Sequence, residues 1–506
     1  MVLAPGKVFL VGAGPGEPGL ITVRGLEVLS SADVVLYDAL AHPALLDACP
    51  HAERRNVGKR FGEDSTRQTA INAQMIELAR AGKRVVRLKG GDPFMFARGA
   101  EEAMALAEAG IDFEIVPGVS SPVAASAYAG ISLTHRELSS SVTFITGSDR
   151  EGQEWSADSW KKLATATDTI CVLMGMWRID EITRAIVDGG RSASTPAAVI
   201  QWAARPAQRV VTATLGTIAE AARSAGLKNP AVILIGEVVR LRDKLAWYEA
   251  RPLFGKRIVV PRPAEQGQSS ARKIRERGAE AILMPTIRIV DPPEPAALER
   301  VLGKLPGYDW VLFTSANGVE RLFAALEKAK LDARAFGTAK IGVIGPKTAD
   351  TLRQHGLIAD LLAEEFVGEG LARAILARGT PKRVLIARAL EARDALPEAL
   401  RSHGAEVDVV AAYQTLPAEP QGSGLAALLE AGGADVMLFT SSSTVTSTFE
   451  LLGDRAKSLL EPLVVASIGP VTSDTLRGLG LEPTVSAERY TVDGLLDALE
   501  HHFSRR

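Results

Sequence analysis

The sequence holds only two cysteines, Cys49 and Cys171, in 506 residues. So few thiols supply no disulfide framework and suit a reducing compartment, so a cytoplasmic location is expected. An excess of one charge is also missing: 58 Lys and Arg stand against 60 Asp and Glu, a net charge of −2. That balance gives no basic field to draw nucleic acid or an anionic membrane surface. No run reaches the ~18 apolar residues of a membrane helix. The opening MVLAPGKVFLVGAGPG leads straight into an apolar strand. It lacks the long apolar segment and small-residue cleavage site of a signal peptide. The seven histidines and two cysteines form neither H-x-x-x-H nor C-x-x-C, so no metal site is expected. His501-His502 reads as a solvated chain end.

What is present is the composition of a soluble globular protein, 46% hydrophobic and 23% charged. The length predicts about three to five domains of about 100–150 residues. The most informative stretch is Arg87 to Glu102, RLKGGDPFMFARGAEE. It follows an apolar run and precedes a helix-like run, Gly99 to Ala109. Gly90 and Gly91 let backbone approach a ligand closely, Asp92 places a carboxylate there, and Pro93 fixes the turn. Upstream, Lys7 to Val11 reads as a strand, Gly12 to Gly19 as a loop, and Ile21 to Ser31 as a helix capped by Thr22. Val34 to Tyr37 is a strand ending at Asp38. Pro15 and Pro18 interrupt what would be a dinucleotide fingerprint, so an NAD-type site is only the alternative here.

Downstream, Glu114 to Val116 leads into PGVSSPVAASAYAG, where Ser120 and Ser121 either bond a ligand or cap a helix. Val142 to Thr146 and Thr169 to Leu173 are strands, the second ending in Met174-Gly175-Met176. Val199 to Ala204, Arg209 to Thr214 and Ala231 to Gly236 complete a second α/β subdomain with hairpin-like strands.

GAGPGEPG, VVLYDAL, VGKR, RLKGGDPFMFARGAEE, VPGVSS, AGISLTHRE, VLMGM and NPAVILIGEVV together resemble uroporphyrinogen-III C-methyltransferase, a tetrapyrrole methylase. The resemblance implies two α/β domains with S-adenosylmethionine in the cleft between them, a fold distinct from Rossmann-like methyltransferases. By position it implies cofactor binding by Pro15, Gly90, Gly91, Asp92, Met95, Ser120, Ser121, Met174 and Ala203. It makes Asp38 a proton acceptor and Lys59 a proton donor, and it implies a homodimer through this half. Ala203 stands where the family usually has glycine, which would disturb the site only at positive φ. Ser148 replaces a common histidine. The tetrapyrrole is a polycarboxylate, so Arg24, Lys59, Arg60, Arg98 and Arg136 are candidate anchors, each weighed against an ordinary solvated charge.

Glu249 to Gly255 (EARPLFG) interrupts the pattern and reads as a join. Beyond it the chain repeats itself. GKRIVVPR at Gly255 matches PKRVLIAR at Pro381, and FTSANGVERL at Phe313 matches FTSSSTVTST at Phe439, both 126 residues apart. IGPKTADTLRQHGL at Ile344 matches IGPVTSDTLRGLGL at Ile468, 124 residues apart. Each copy reads as a parallel α/β unit, which implies two similar lobes flanking a cleft. The hydroxyls Ser315, Thr348, Ser441, Ser442 and Thr472 lie at helix starts, where backbone N–H groups favour anions and where capping is also common.

These blocks, with Tyr413-Gln-Thr415, resemble uroporphyrinogen-III synthase. That family closes hydroxymethylbilane without a cofactor, mainly by orienting a reactive chain. The resemblance makes Tyr413 the candidate for assisting loss of the hydroxyl, with Ser441, Ser442 and Thr472 as substrate contacts. It also implies that the chain leaves the first lobe near Ile287 and returns near Thr415.

The expected fold is α/β, a two-domain tetrapyrrole methylase followed by a duplicated two-lobe parallel α/β synthase. The expected segments are 1–249, a linker at 250–255, and 256–506 with lobes of about 256–287 plus 416–506 and 288–415. The expected function is cyclisation of hydroxymethylbilane and methylation of the product to precorrin-2, with small-molecule tetrapyrrole substrates. The alternatives are a methylase joined to a non-catalytic tetrapyrrole-sensing module, or a methylase of the same fold acting on a later corrin or on diphthamide.

Overall fold

A computed structural model describes residues 6–58, 68–147, 157–262, 264–365, 367–417 and 424–504. Lys59, Arg60 and Ser148 lie outside the described residues. The chain divides into two compact units. The first runs to Arg257 and includes Ile274–Glu280, and the second comprises Ile258–Lys273 and Ala281–His502.

The first unit contains two five-stranded sheets. Strands β1 (Lys7–Gly12), β2 (Val34–Tyr37), β3 (Glu53–Asn56), β4 (Arg84–Lys89) and β5 (Asp112–Val116) form one, parallel throughout, in the order β3-β2-β4-β1-β5. The runs FLV of β1 and VVLY of β2 are apolar on successive residues because both sheet faces are covered. Val11, Val35 and Val86 pack with Val28 and Leu29 of helix α1 (Val23–Ser30) on one face. Val8, Val34 and Val85 pack on the other with Met75 of α2 (Gln68–Arg80) and Leu106 of α3 (Gly99–Glu108). Thr22 caps α1, its hydroxyl accepting from Gly25 N–H at 3.0 Å, as expected.

The second sheet follows α4 (Ser121–Tyr128). It holds β6 (Val142–Thr146), β7 (Thr169–Leu173), β8 (Pro196–Gln201), β9 (Arg209–Thr214) and β10 (Ala231–Ile235) in the order β6-β7-β10-β8-β9. Only β6 and β7 are parallel; the other pairs are antiparallel. Strand β8 ends at Gln201, short of the expected Ala204. Trp202 and Ala204 hold φ at +50° and +59°, which no extended strand allows.

The second unit also has two sheets. Their strands are β11 (Arg257–Val260), β12 (Glu280–Leu283), β13 (Ile287–Val290), β14 (Trp310–Phe313), β15 (Lys340–Val343), β16 (Leu361–Leu362), β17 (Arg383–Ala389), β18 (Glu406–Pro417), β19 (Val436–Phe439), β20 (Val464–Ser467) and β21 (Val485–Ser486). The orders are β12-β11-β19-β20-β21 and β13-β18-β17-β14-β15-β16. Strands β13 and β18 pair antiparallel, Ile287 opposite Pro417, at the passage between lobes. The internal repeat is visible as structure. Strands β14 and β19 each end in a Phe followed by Thr-Ser, and Ser315 and Ser441 each cap the following helix, Ala316–Lys328 and Ser442–Leu452.

Candidate active sites

Three loops meet at the carboxyl ends of β1, β4 and β5, the region where open α/β sheets bind ligands. Glycine makes the meeting possible. A Cβ on Gly12 would lie 2.6 Å from Gly118 Cα, and one on Gly118 would lie 2.4 Å from the Gly91 carbonyl oxygen. Gly91 N–H donates to Gly14 O at 2.8 Å, and Gly14 N–H donates to Gly91 O at 3.2 Å. Asp92 locks the arrangement, accepting from Phe94 N–H at 2.8 Å and from Gly118 N–H at 2.9 Å.

A cleft of about 360 Å³ between these loops and the second sheet of the same unit is lined by Pro15, Gly90, Gly91, Met95, Ser121, Met174 and Ala203. Seven expected cofactor residues thus line one cleft, with the apolar Leu40, Phe96, Ile200, Trp202 and Val232 beside them. Asp92 and Ser120 do not line it. Asp92 engages both carboxylate oxygens with backbone, and Ser120 starts α4 without a side-chain capping bond. Ala203 has no positive φ. The left-handed residues are its neighbours Trp202 and Ala204, together with Met174 at φ +53°. Left-handed backbone costs a non-glycine residue about 1–3 kcal/mol and clusters at functional sites.

Beneath β4 lies a charge network whose members are scattered along the sequence. Arg87 and Lys89 point to one sheet face, where Glu102 of α3 is fully buried. Arg87 Nη2 donates to Asp38 Oδ1 at 2.5 Å, and its Nε donates to Glu102 Oε1 at 3.1 Å. Lys89 Nζ donates to the same Glu102 oxygen at 2.9 Å, and Gln68 donates to it at 3.1 Å. Burial, then the Arg87 charge, pushes the Lys89 pKa down, against the pull of Glu102. Glu102 Oε2 is buried without a hydrogen-bond partner. The alternation of Arg87 and Lys89 on a strand was the available signal; Glu102 stands 15 residues away. Asp38 remains partly exposed, its side chain 27% accessible.

Two expected anchors are engaged elsewhere. Arg24 grips Glu114 at 2.8 and 2.9 Å, and Arg98 grips Glu101 at 2.6 Å, both on the surface. His42, near the cleft loops, accepts from Ala44 N–H through Nδ1 at 3.1 Å. Burial, then the neighbouring Arg205 charge, lowers its pKa to about 4.

In the second unit, a pocket of about 190 Å³ is lined by Arg262, Ile287, Ile289, Asn317, Tyr413, Thr415, Thr440, Ser441, Ser443 and Thr444. These residues come from both lobes. Tyr413 is buried, and its hydroxyl lies 2.9 Å from Ser315 Oγ, which also accepts from Gly318 N–H. Ser442 turns aside, donating to Val471 O at 3.3 Å and accepting from Thr475 at 2.8 Å. Thr348 and Thr472 are 5% and 4% exposed, packed under their helices and off this wall. Arg262 was missed because a lone arginine after a strand carries no signal of its own.

A profile of tetrapyrrole (corrin/porphyrin) methylases matches residues 7–219, and one of uroporphyrinogen-III synthase matches residues 268–497. A porphyrin biosynthesis protein HemD from Ruminiclostridium josui is 39% identical over 98% of this chain and 97% of its own. The chain belongs to the family that fuses a tetrapyrrole methylase to a uroporphyrinogen-III synthase. The fusion is also 38% identical to a uroporphyrinogen-III C-methyltransferase of Bacillus subtilis over 71% of this chain and 73% of that one. Its methylase half is 51% identical to a siroheme synthase of Chromobacterium violaceum, over 48% of this chain and 52% of that one. The glycine loops and the hydroxyl-lined pocket therefore belong to the methylase and synthase halves respectively.

Removing one member of a buried ion network leaves its partners uncompensated, at about 3–5 kcal/mol. Arg87→Met should destabilise the methylase half by roughly that amount in denaturant unfolding, and adding Glu102→Gln should recover part of it. Equal, additive losses would show the two side chains to be uncoupled. The His42 pKa lies below the usual ~6.5, so the unfolded chain takes the proton first. The His42 contribution is complete above about pH 6.5 and is lost as pH falls toward about 4, by roughly 3 kcal/mol. His42→Asn should flatten that part of the stability–pH profile.

Proposed function

We propose that this chain closes hydroxymethylbilane to uroporphyrinogen III in its synthase half, residues 256–506, and methylates that product to precorrin-2 in its methylase half, residues 1–249. The observation that carries the methylase reading is the single cleft lined by Pro15, Gly90, Gly91, Met95, Ser121, Met174 and Ala203. The cleft suits S-adenosylmethionine: its volume and apolar sides fit a nucleoside with a short chain, and glycine exposes backbone for polar contacts. Pro15, Gly90, Gly91, Ser121, Met174 and Ala203 would hold it. When bound, S-adenosylmethionine supplies an activated methyl group.

The chain's own task is then to orient a pyrrole carbon and remove a proton as the ring becomes cationic. Asp38 takes that proton, and Arg87, bonded to one carboxylate oxygen, keeps the other free for it. Lys59 serves as proton donor. In the synthase half, Tyr413 donates its hydroxyl proton to the departing hydroxyl, held in place by Ser315. Ser441 and the neighbouring Thr440, Ser443 and Asn317 hold the substrate's carboxylates and pyrroles in the closing conformation.

A homodimer through the methylase half is supported by the exposed Val123, Leu245 and Trp247, about half accessible at 47%, 47% and 45%. A cytoplasmic location is supported by the two buried, unbridged cysteines. No helix among the described residues is long and apolar enough to cross a membrane.

Supplied with hydroxymethylbilane and no S-adenosylmethionine, the protein should yield the type III isomer. Type I alone would mean spontaneous closure and would favour a sensing module over a synthase. Tyr413→Phe should lower kcat by about tenfold to hundredfold with little change in KM. An unchanged kcat would remove Tyr413 from the chemistry.

A further inference from the structure

Arg205 lines the methylase cleft, yet nothing in the sequence marked it. It follows the turn at Trp202 and Ala204, whose left-handed backbone at φ +50° and +59° sets its approach. The side chain reaches from the second sheet to the loops of the first. Its Nη2 donates to the Leu40 carbonyl at 2.7 Å, two residues beyond Asp38. Its stem and Nε rest on Gly16, where an added Cβ would lie 2.4 Å from Nε. Its guanidinium carbon stands 5.0 Å from the centroid of the Trp202 ring. The contacts with Leu40, Gly16 and Trp202 therefore fix the cation in place.

What it lacks is a counter-charge. Among the described residues no carboxylate makes an ion pair with Arg205, and Nε is closed off from solvent without an acceptor. Glu280, in the same compact unit, attracts it only at longer range. Burial lowers its pKa, but a guanidinium stays charged. A desolvated cation is costly unless something pairs with it. The bond to Leu40 engages Nη2, and the residue as a whole lines the cleft.

We propose that Arg205 is the carboxylate anchor of the methylase cleft, pairing with a carboxylate of the bound ligand. Two ligands of this cleft carry that group: the amino-acid end of the methyl donor and the side chains of the tetrapyrrole. The proposal rests on the methylase reading of the cleft.

The test uses the full chain, wild type and Arg205→Met, with Arg205→Lys as a charge-retaining variant should the first fold poorly. Calorimetric titration with S-adenosylhomocysteine is compared with 5′-methylthioadenosine, which lacks the amino-acid end, and KM is measured for uroporphyrinogen III. A charge-assisted bond of this kind corresponds to about tenfold or more in affinity. If the donor's carboxylate is held, Arg205→Met weakens S-adenosylhomocysteine by that factor, leaves methylthioadenosine unchanged, and Arg205→Lys recovers part of the loss. If the tetrapyrrole's carboxylate is held, both nucleosides bind as before and KM for uroporphyrinogen III rises about tenfold. The proposal is overturned if all three values are unchanged, or if methylthioadenosine weakens as much as S-adenosylhomocysteine. Wild-type protein that binds neither nucleoside would overturn the methylase reading itself, and the anchor with it.

Discussion

The methylase half depends on one contact, the stacking of Gly12, Gly91 and Gly118 backbones at the carboxyl ends of three neighbouring parallel strands. A Cβ at Gly12 or Gly118 would meet backbone at 2.4–2.6 Å, closer than any side chain tolerates. Because the loops touch, Gly14 and Gly91 can exchange hydrogen bonds and Asp92 can reach the Gly118 N–H. Those bonds shape one wall of the cleft. The opposite wall comes from the second sheet, where the left-handed turn at Met174 redirects the chain at the exit of β7. Backbone geometry, rather than any single side chain, thus builds this site.

The two halves solve different problems. The methylase half must hold a proton acceptor beside a ring that becomes cationic. Asp38, the acceptor proposed for it, is bonded to a buried arginine, and Glu102 and Lys89 complete a neutral set of four charges: Asp38 and Glu102 against Arg87 and Lys89. Isolated charges at such depth would cost several kcal/mol each, so the set stands or falls together. The synthase half has to orient a long, reactive chain. Its pocket is built mainly of hydroxyls and one buried tyrosine, with Arg262 as the cation on its wall. Orientation can account for large rate effects without strongly perturbed groups.

Much of this was legible in the sequence. Val34–Tyr37, Val142–Thr146, Thr169–Leu173 and Arg257–Val260 were marked to the residue; in all but Val142–Thr146 the signal is the largely continuous hydrophobicity of a buried strand. The repeated Phe-Thr-Ser gave two matching strand-to-helix caps. The failures share a cause: they depend on where side chains point and on partners far along the chain. Thr348 and Thr472 sit at helix starts, yet face inward. Arg24 pairs with Glu114, 90 residues away. Arg205 finds Leu40 across 165 residues, and no local pattern encodes that contact. Strand β8 ended early because the turn after it needed left-handed backbone that Trp202 and Ala204 supply without glycine to announce it.

The most direct test of the account is a crystal structure of the full chain grown with saturating S-adenosylhomocysteine. The ligand should lie against Pro15, Gly91, Ser121, Met174 and Ala203, with the three glycine backbones still in contact beneath it. Ligand density at any other place, or an empty cleft at saturating concentration, would contradict it.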